Sequence, residues 1–337
     1  MSFIINTSLS YISQGYLVYF FSIPFILISL FFSSLASAKT PDALIISIAP
    51  SYPSPVSELE EVEEVKKWRR PNAAIYDGLR NQPLPEEPVT LGAPSKKQAW
   101  SDVINYLSKE SELDLKFEPA KSQIDFELKL AKGYYDLAYV TPLQFNAFRE
   151  FPGYQAQTKR KSQPLRGMVF VKKVGAISSF SELRGATIAF PGLLNYAASV
   201  IPRESLYRLN FDITPQFLAS SDLVYSEVIN NQYIAGAGTE ESLKAQPPEI
   251  RNSLKVVWNS PGFSPHAFVA HPKVPFFSLI KLKKAMVQMV KSQNGKDLLR
   301  HIFIQNGFEV AKDSDWDEVK HINLDIINGN TKTTNAH

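Results

Sequence analysis

Cysteine is absent from the 337 residues. That excludes disulfide scaffolds, thiol nucleophiles, zinc ribbons, iron–sulfur clusters and lipidation of an N-terminal cysteine. Histidine is scarce: the five are His266, His271, His301, His321 and His337. None stands in an H-E-x-x-H or H-x-H arrangement, so a histidine-rich metal site is not expected. An excess of one charge is missing too. Lys and Arg number 36 against 33 Asp and Glu, a formal charge of +3, too small and too scattered for the basic patch of a nucleic-acid binder. The chain also lacks a G-x-S-x-G elbow, a P-loop, a dinucleotide glycine fingerprint and a Cys–His pair, which argues against an enzyme. Gly236-Ala237-Gly238 lacks the rest of a nucleotide motif and is expected to give a tight turn at a strand end. What is present is 44% hydrophobic and 20% charged residues, enough to bury a core. The length exceeds one average domain and falls short of three.

Charged side chains are missing altogether from residues 1–38. Tyr16 to Leu35 is nearly continuous aromatic and aliphatic sequence, broken by Pro24 and a few serines, and it ends in Leu35-Ala36-Ser37-Ala38 before Lys39. A small-x-small triplet after an apolar run is what signal peptidase cleaves, so cleavage is expected after Ala38. The only positive charge of the n-region is the terminal amine, where Lys or Arg is usual. The run is also long, and about 20 apolar residues can span a bilayer. An uncleaved N-terminal anchor is therefore the alternative. Either reading places the rest of the chain outside the cytoplasm.

Ala43–Ala49 reads as a strand, Glu58–Arg70 as a solvated charged helix, and Pro71–Pro88 as a proline-rich loop. From Val89 the pattern becomes regular. Val89–Ala93, Leu113–Phe117, Tyr135–Val140, Gly167–Val171, Ala186–Phe190, Ile213–Phe217, Ile234–Ala237, Leu254–Trp258 and Ala267–Ala270 are expected strands. Helical spacing marks Trp100–Ser111, Ile124–Ala131, Asn195–Leu209, Asp222–Asn231 and Phe277–Gln293. Strands alternating with helices of this length argue for α/β architecture with mostly parallel sheets. No internal repeat is evident.

Four segments carry a family resemblance: Leu130–Pro142, Leu165–Val171 with Phe180–Pro191, Ser220–Tyr225, and Ser264–Pro272. In that order and spacing they resemble the phosphate/phosphite/phosphonate-type periplasmic substrate-binding proteins of ABC transporters. The resemblance implies a two-lobed, type II-like periplasmic-binding-protein fold: two mostly parallel-sheet domains, a hinge of crossing strands and a cleft between the lobes. The division it implies has a signal segment or anchor at 1–38 and an extension at 39–88 packed on lobe one. Lobe one is 89–166 plus 268–325, lobe two is 167–267, and 326–337 is a flexible tail. It implies no cofactor. The implied partners are a small anionic ligand and an inner-membrane permease, with no nucleic acid, for a periplasmic monomer. A membrane-tethered sensor passing a binding signal to a partner chain is the other function the resemblance allows.

By the same resemblance, ligand contacts fall on loops that follow strands, where free backbone N–H groups and the helix dipole favour an anion. The candidates are Thr141, Gln144, Asn195, Tyr196, Ser220, Ser221 and Asp222, with Arg166 and His266 at the two lobe crossings. Lys96 and Lys97 are further cations near the cleft mouth, and Asp315-Trp316-Asp317 is expected to pack the last helix. Leu143, Phe145, Leu193, Leu194 and Ser221 stand where relatives more often place hydroxyls or imidazole. Those residues cannot donate to phosphoryl oxygens, Ser221 excepted, so the leucines and Phe145 are expected to receive an apolar tail. A substituted organic anion should then bind more tightly than inorganic phosphate.

Overall fold

The structure, a computed structural model, describes residues 43–49, 95–193 and 195–322. The expected signal segment, the Glu58–Arg70 helix, the Pro71–Pro88 loop, the Val89–Ala93 strand, Leu194 and the 326–337 tail lie outside the described residues.

Two sheets organise the chain. The first uses β1 (Leu44–Ile48), β2 (Leu115–Phe117), β3 (Leu137–Val140), β4 (Gln155–Arg160), β10 (Ala267–Ala270) and β11 (Phe308–Val310), in the order β11-β4-β10-β3-β1-β2. The second uses β5 (Met168–Lys172), β6 (Thr187–Pro191), β7 (Thr214–Leu218), β8 (Ala235–Gly238) and β9 (Leu254–Asn259), in the order β7-β6-β8-β5-β9. The parallel pairing expected from strand–helix alternation holds for β2-β1-β3 and β7-β6-β8. β10 and β5 run antiparallel to their neighbours, so each sheet is mixed. The reason is connectivity. Each enters from a strand of the other sheet rather than through a crossover helix, and nothing forces it into the parallel direction.

Helices cover the parallel parts. Ser95 caps α1 (Lys96–Ser111) by accepting from Gln98 N at 3.2 Å, and Trp100, Val103, Ile104 and Leu107 form its buried stripe. Ser122 caps α2 (Gln123–Ala131), and Thr141 caps α3 (Pro142–Phe148). The single helix expected over Asn195–Leu209 is instead a π turn, Tyr196–Val200, running into α4 (Ile201–Arg208). Pro202 lacks the N–H that a regular register would need there. Gly167 lies against this turn: a Cβ would fall 2.4 Å from Pro202 Cγ and 2.6 Å from the Ala197 carbonyl oxygen.

Gly236 and Gly238 do not make the expected turn. They lie within β8, where α5 (Ser221–Ile229) crosses close enough that a Cβ on Gly236 would meet Val224 Cγ1 at 2.6 Å. α6 (Glu240–Lys244) begins directly after that strand. Three further helices are α7 (Pro248–Ser253), which precedes β9, and α8 (Phe276–Gln288) and α9 (Gln293–His301), which follow β10.

Residues 161–167 and 260–266 carry the chain from one sheet to the other and are bonded to each other. Leu165 and Phe263 exchange backbone hydrogen bonds of 2.8 and 2.9 Å, and Ser260 N donates to the Gly167 carbonyl at 2.8 Å. Under this double crossing lies a core that joins Phe145, Phe148 and Trp316 to Tyr196, Val200 and Ile201 of the π turn and α4. A C-terminal 3-10 segment, Asp313–His321, closes it: Trp316 Nε1 donates to the Pro265 carbonyl at 2.7 Å, and Ser264 N donates to Glu318 at 2.6 Å. Among the described residues no helix is long and apolar enough to cross a membrane.

Candidate functional site

Strand direction decides where loops can converge. Because β10 runs antiparallel to both β3 and β4, those two share a direction with β1. Their C-terminal ends line one edge of the first sheet, at Ala49, Thr141 and Arg160. In the second sheet β6, β7 and β8 end along one edge, followed by Gly192, Ala219 and Thr239. Arg160 is ion-paired at 3.3 Å with Glu241, at the start of α6, so these two edges face each other.

The sequence candidates divide on inspection. Thr141 and Gln144 close a capping box: Gln144 N donates to Thr141 Oγ1 at 3.2 Å and Thr141 N donates to Gln144 Oε1 at 3.0 Å. The other end of Gln144 donates to buried Glu127 at 3.0 Å. Its side chain is spent on the fold, so a ligand contact would have to break the box. Tyr196 is buried in the core under the crossing, edge-on to Phe263, and its hydroxyl finds no partner among the described residues. Burial, with Glu318 and Glu204 nearby, pushes that hydroxyl's pKa far up, so it stays protonated.

Asn195 remains exposed. Its Oδ1 accepts from Ala198 N at 3.0 Å, while its amide nitrogen makes no hydrogen bond among the described residues. Ser220 caps α5 by accepting from Leu223 N at 3.1 Å, which leaves its hydroxyl hydrogen to donate. Ser221, half-buried, opens that helix, and exposed Asp222 accepts from Gln246 at 2.6 Å. Arg166 is exposed on the first crossing and donates to the Ser260 carbonyl at 3.3 Å. His266 ends the second crossing and stacks on Tyr139 at 5.4 Å, at the edge of the first sheet.

The expected apolar receptor for a ligand tail is corrected. Leu143 and Phe145 are core residues, Phe145 meeting Trp316 edge-on at 5.1 Å, and Leu193 is buried as well. Leu143 and Phe145 lie on the inward face of the capped helix α3, and Leu193 in the loop after β6. Lys97 is exposed near the start of α1.

Three features escaped the sequence reading. Trp100, Tyr139 and His266 form an aromatic row, Trp100 to Tyr139 being 5.0 Å. Burial pushes the Tyr139 pKa up to about 12, with Arg160 and Glu241 close enough to oppose and reinforce that shift. Arg160 was hidden inside Lys159-Arg160-Lys161, which looks like a solvated run, in a strand too polar to be recognised. Arg203 is fully buried behind the 191–195 loop. It donates to the carbonyls of Leu193 and Ser199, lies 5.0 Å from the Phe217 ring, and has its pKa pushed down to about 9 by burial. Its cue was an arginine on the apolar face of a helix. Among the described residues no group of three His, Asp or Glu side chains could hold a metal. The edges thus offer amide and hydroxyl donors, two helix N-termini and, in Arg160, a buried cation whose Nε has no hydrogen-bond partner among the described residues, a set suited to an oxyanion.

Over residues 92–316 the sequence matches the family described as ABC transporter, phosphonate, periplasmic substrate-binding protein. No curated protein matches it. Among solved structures it is similar to PhnD1 from Prochlorococcus marinus in complex with methylphosphonate: 15% identity, TM-score 0.60, 86% of this chain and 99% of that one. A binding protein component of an ABC phosphonate transporter from Pseudomonas aeruginosa gives 12% identity and TM-score 0.57, over 83% of this chain and 85% of that one. A Xanthomonas citri protein bound to chloride gives 14% identity and TM-score 0.55, over 85% and 96%.

Proposed function

This chain belongs to the ABC-transporter phosphonate periplasmic substrate-binding proteins, and from that premise we propose that it holds a small anion of phosphonate or phosphate type between its two sheets and passes it to a membrane permease. Its function is solute binding. It does so without catalysis, as an exported monomer. Lobe one is taken as 89–166 with 268–325, and lobe two as 167–267. The observation that carries the reading is the meeting of the two C-terminal strand edges beside a hydrogen-bonded double crossing. Such a hinge lets the edges close on a ligand.

Within that site Asn195 and Ser220 supply side-chain donors, and the N–H groups opening the π turn and α5 supply backbone ones. Thr141 contributes only through its cap, and Ser221 through its backbone. Asp222 adds negative charge, which favours a ligand carrying an amine beside its oxyanion over a bare dianion. Arg166 and His266 lie where the crossings must bend. Methylphosphonate, 2-aminoethylphosphonate, phosphite and phosphate, each tested by thermal shift, check the proposal. At a hundredfold excess over its Kd a ligand of the folded state should add about 2.7 kcal/mol. No shift with any of the four would reject it.

A further inference from the structure

Strand β4 ends in two cations that alternate across the sheet. Lys159 is paired with Asp315 at 2.9 Å, beside the C-terminal segment. Arg160 is not so well served. Only 7% of it is exposed, yet its Nε is buried with no hydrogen-bond partner. Among the described residues the one hydrogen bond of its side chain runs from Nη1 to Glu241 Oε1, at 3.3 Å. Glu241's side chain is 55% exposed, so this acceptor sits largely in solvent.

That arrangement makes little sense as a stabilising ion pair. A guanidinium carries five N–H donors in a planar fork, and taking it out of water is costly unless the fork is filled, best by a bidentate oxyanion. A single long bond to a half-exposed carboxylate fills one tine. The neighbourhood is that of a ligand wall: Tyr139 lies near both charges, with His266 stacked on it, where the two strand edges meet.

We infer that Arg160 is the cationic anchor for the oxyanion head of the ligand, and that Glu241 holds that place by lending one carboxylate oxygen until a better-matched oxyanion displaces it. The inference rests on the solute-binding reading above and specifies its charge chemistry. Glu241 bonds the fork through one oxygen, Oε1, whereas a phosphonate or phosphate, with three or more oxygens, offers a bidentate edge. Displacement would also free α6 from β4, so ligand exchange on Arg160 is coupled to how the second sheet meets the first.

Calorimetry on the full chain with methylphosphonate and with inorganic phosphate tests this. Arg160→Gln should weaken both by about a hundredfold, and Arg160→Lys, which keeps charge but loses the fork, by about tenfold. Glu241→Gln should tighten both severalfold, because the competing carboxylate is gone. Since Glu241 is exposed, that variant decides the matter even if Arg160→Gln fails to fold. Unchanged or weaker binding by Glu241→Gln overturns the inference, since it would make the pair a clasp rather than a placeholder. Wild-type affinity in Arg160→Gln overturns it too. If Asn195→Ala and Ser220→Ala lose binding while Arg160→Gln keeps it, the solute-binding reading stands and the anchor falls. If the wild-type chain takes up neither probe, nor 2-aminoethylphosphonate or phosphite, both fall.

Discussion

His271, one residue beyond β10, shows how a single side chain can tie stability to pH. Its Nδ1 accepts the Lys273 N–H at 3.2 Å, Tyr154 meets its ring edge-on at 5.3 Å, and the turn at Gly133 sits directly over Nε2. Burial and then the Lys273 ammonium hold its pKa below the ordinary histidine value, against a smaller opposing pull from Asp136. The unfolded chain therefore binds the proton more readily than the folded one. The stability this contributes is whole above pH 6.5, about the unfolded value, and is lost as pH falls through the folded one. Urea midpoints should drop between pH 7 and pH 5, and the drop should be shallower in His271→Asn; equal slopes would remove His271 as the cause. A single residue can be read from the sequence where local chemistry acts alone, as with the Asn195 cap of the π turn. The partners of Gln144 and Arg160 are not local: Glu127 is 17 residues from Gln144, and Glu241 lies 81 residues beyond Arg160, so the roles of both depend on the fold.

Elements were easiest to read where both faces are apolar. β3 is buried along its whole length and was plain from Leu137-Ala138-Tyr139-Val140. β4 was not, because its inward positions include Gln157 and Thr158, which are satisfied by Gln155 and Met286 rather than by apolar packing alone. The π turn was illegible as well, since it answers to Gly167 from another element. The contact between α5 and β8 is another close fit. Gly236→Ala would drive a methyl into Val224 and Phe170, neither of which is free to move in a packed core. Such overpacking costs about 1–3 kcal/mol. Chemical denaturation of Gly236→Ala should show a loss in that range, whereas Gly185→Ala, with open space around it but a φ of +77°, should cost only its backbone strain.

At the scale of the whole molecule, the C-terminal 3-10 segment acts on the crossing. Trp316 is fully buried, and its indole donates to Pro265 at the return crossing. Arg208 of α4 reaches the His321 carbonyl at 2.8 Å, so the segment also touches the helix that follows the π turn. Trp316→Phe keeps most of the packing and deletes the bond, leaving a buried carbonyl unsatisfied, at about 1–3 kcal/mol. Denaturant midpoints should fall accordingly. An unchanged midpoint would mean that the carbonyl finds another donor. The α/β class and the family followed from strand–helix alternation and four ordered segments. Which strands run antiparallel did not, because direction at β5 and β10 is set by chain path between sheets rather than by any local pattern.

That path has a temporal side. The second sheet is drawn from one unbroken stretch, 168–259, and every strand it needs is present as soon as that stretch exists. The first sheet joins β1, at Leu44–Ile48, to strands as late as β11, at Phe308–Val310. A chain made from its N-terminus must therefore hold β1 to β4 waiting until nearly the last residues have been synthesised. Closing so long a loop is slow. The two halves are thus separated in time by chain order alone: the second sheet can form first as a unit, and the first sheet then closes around the crossings that lead into and out of it.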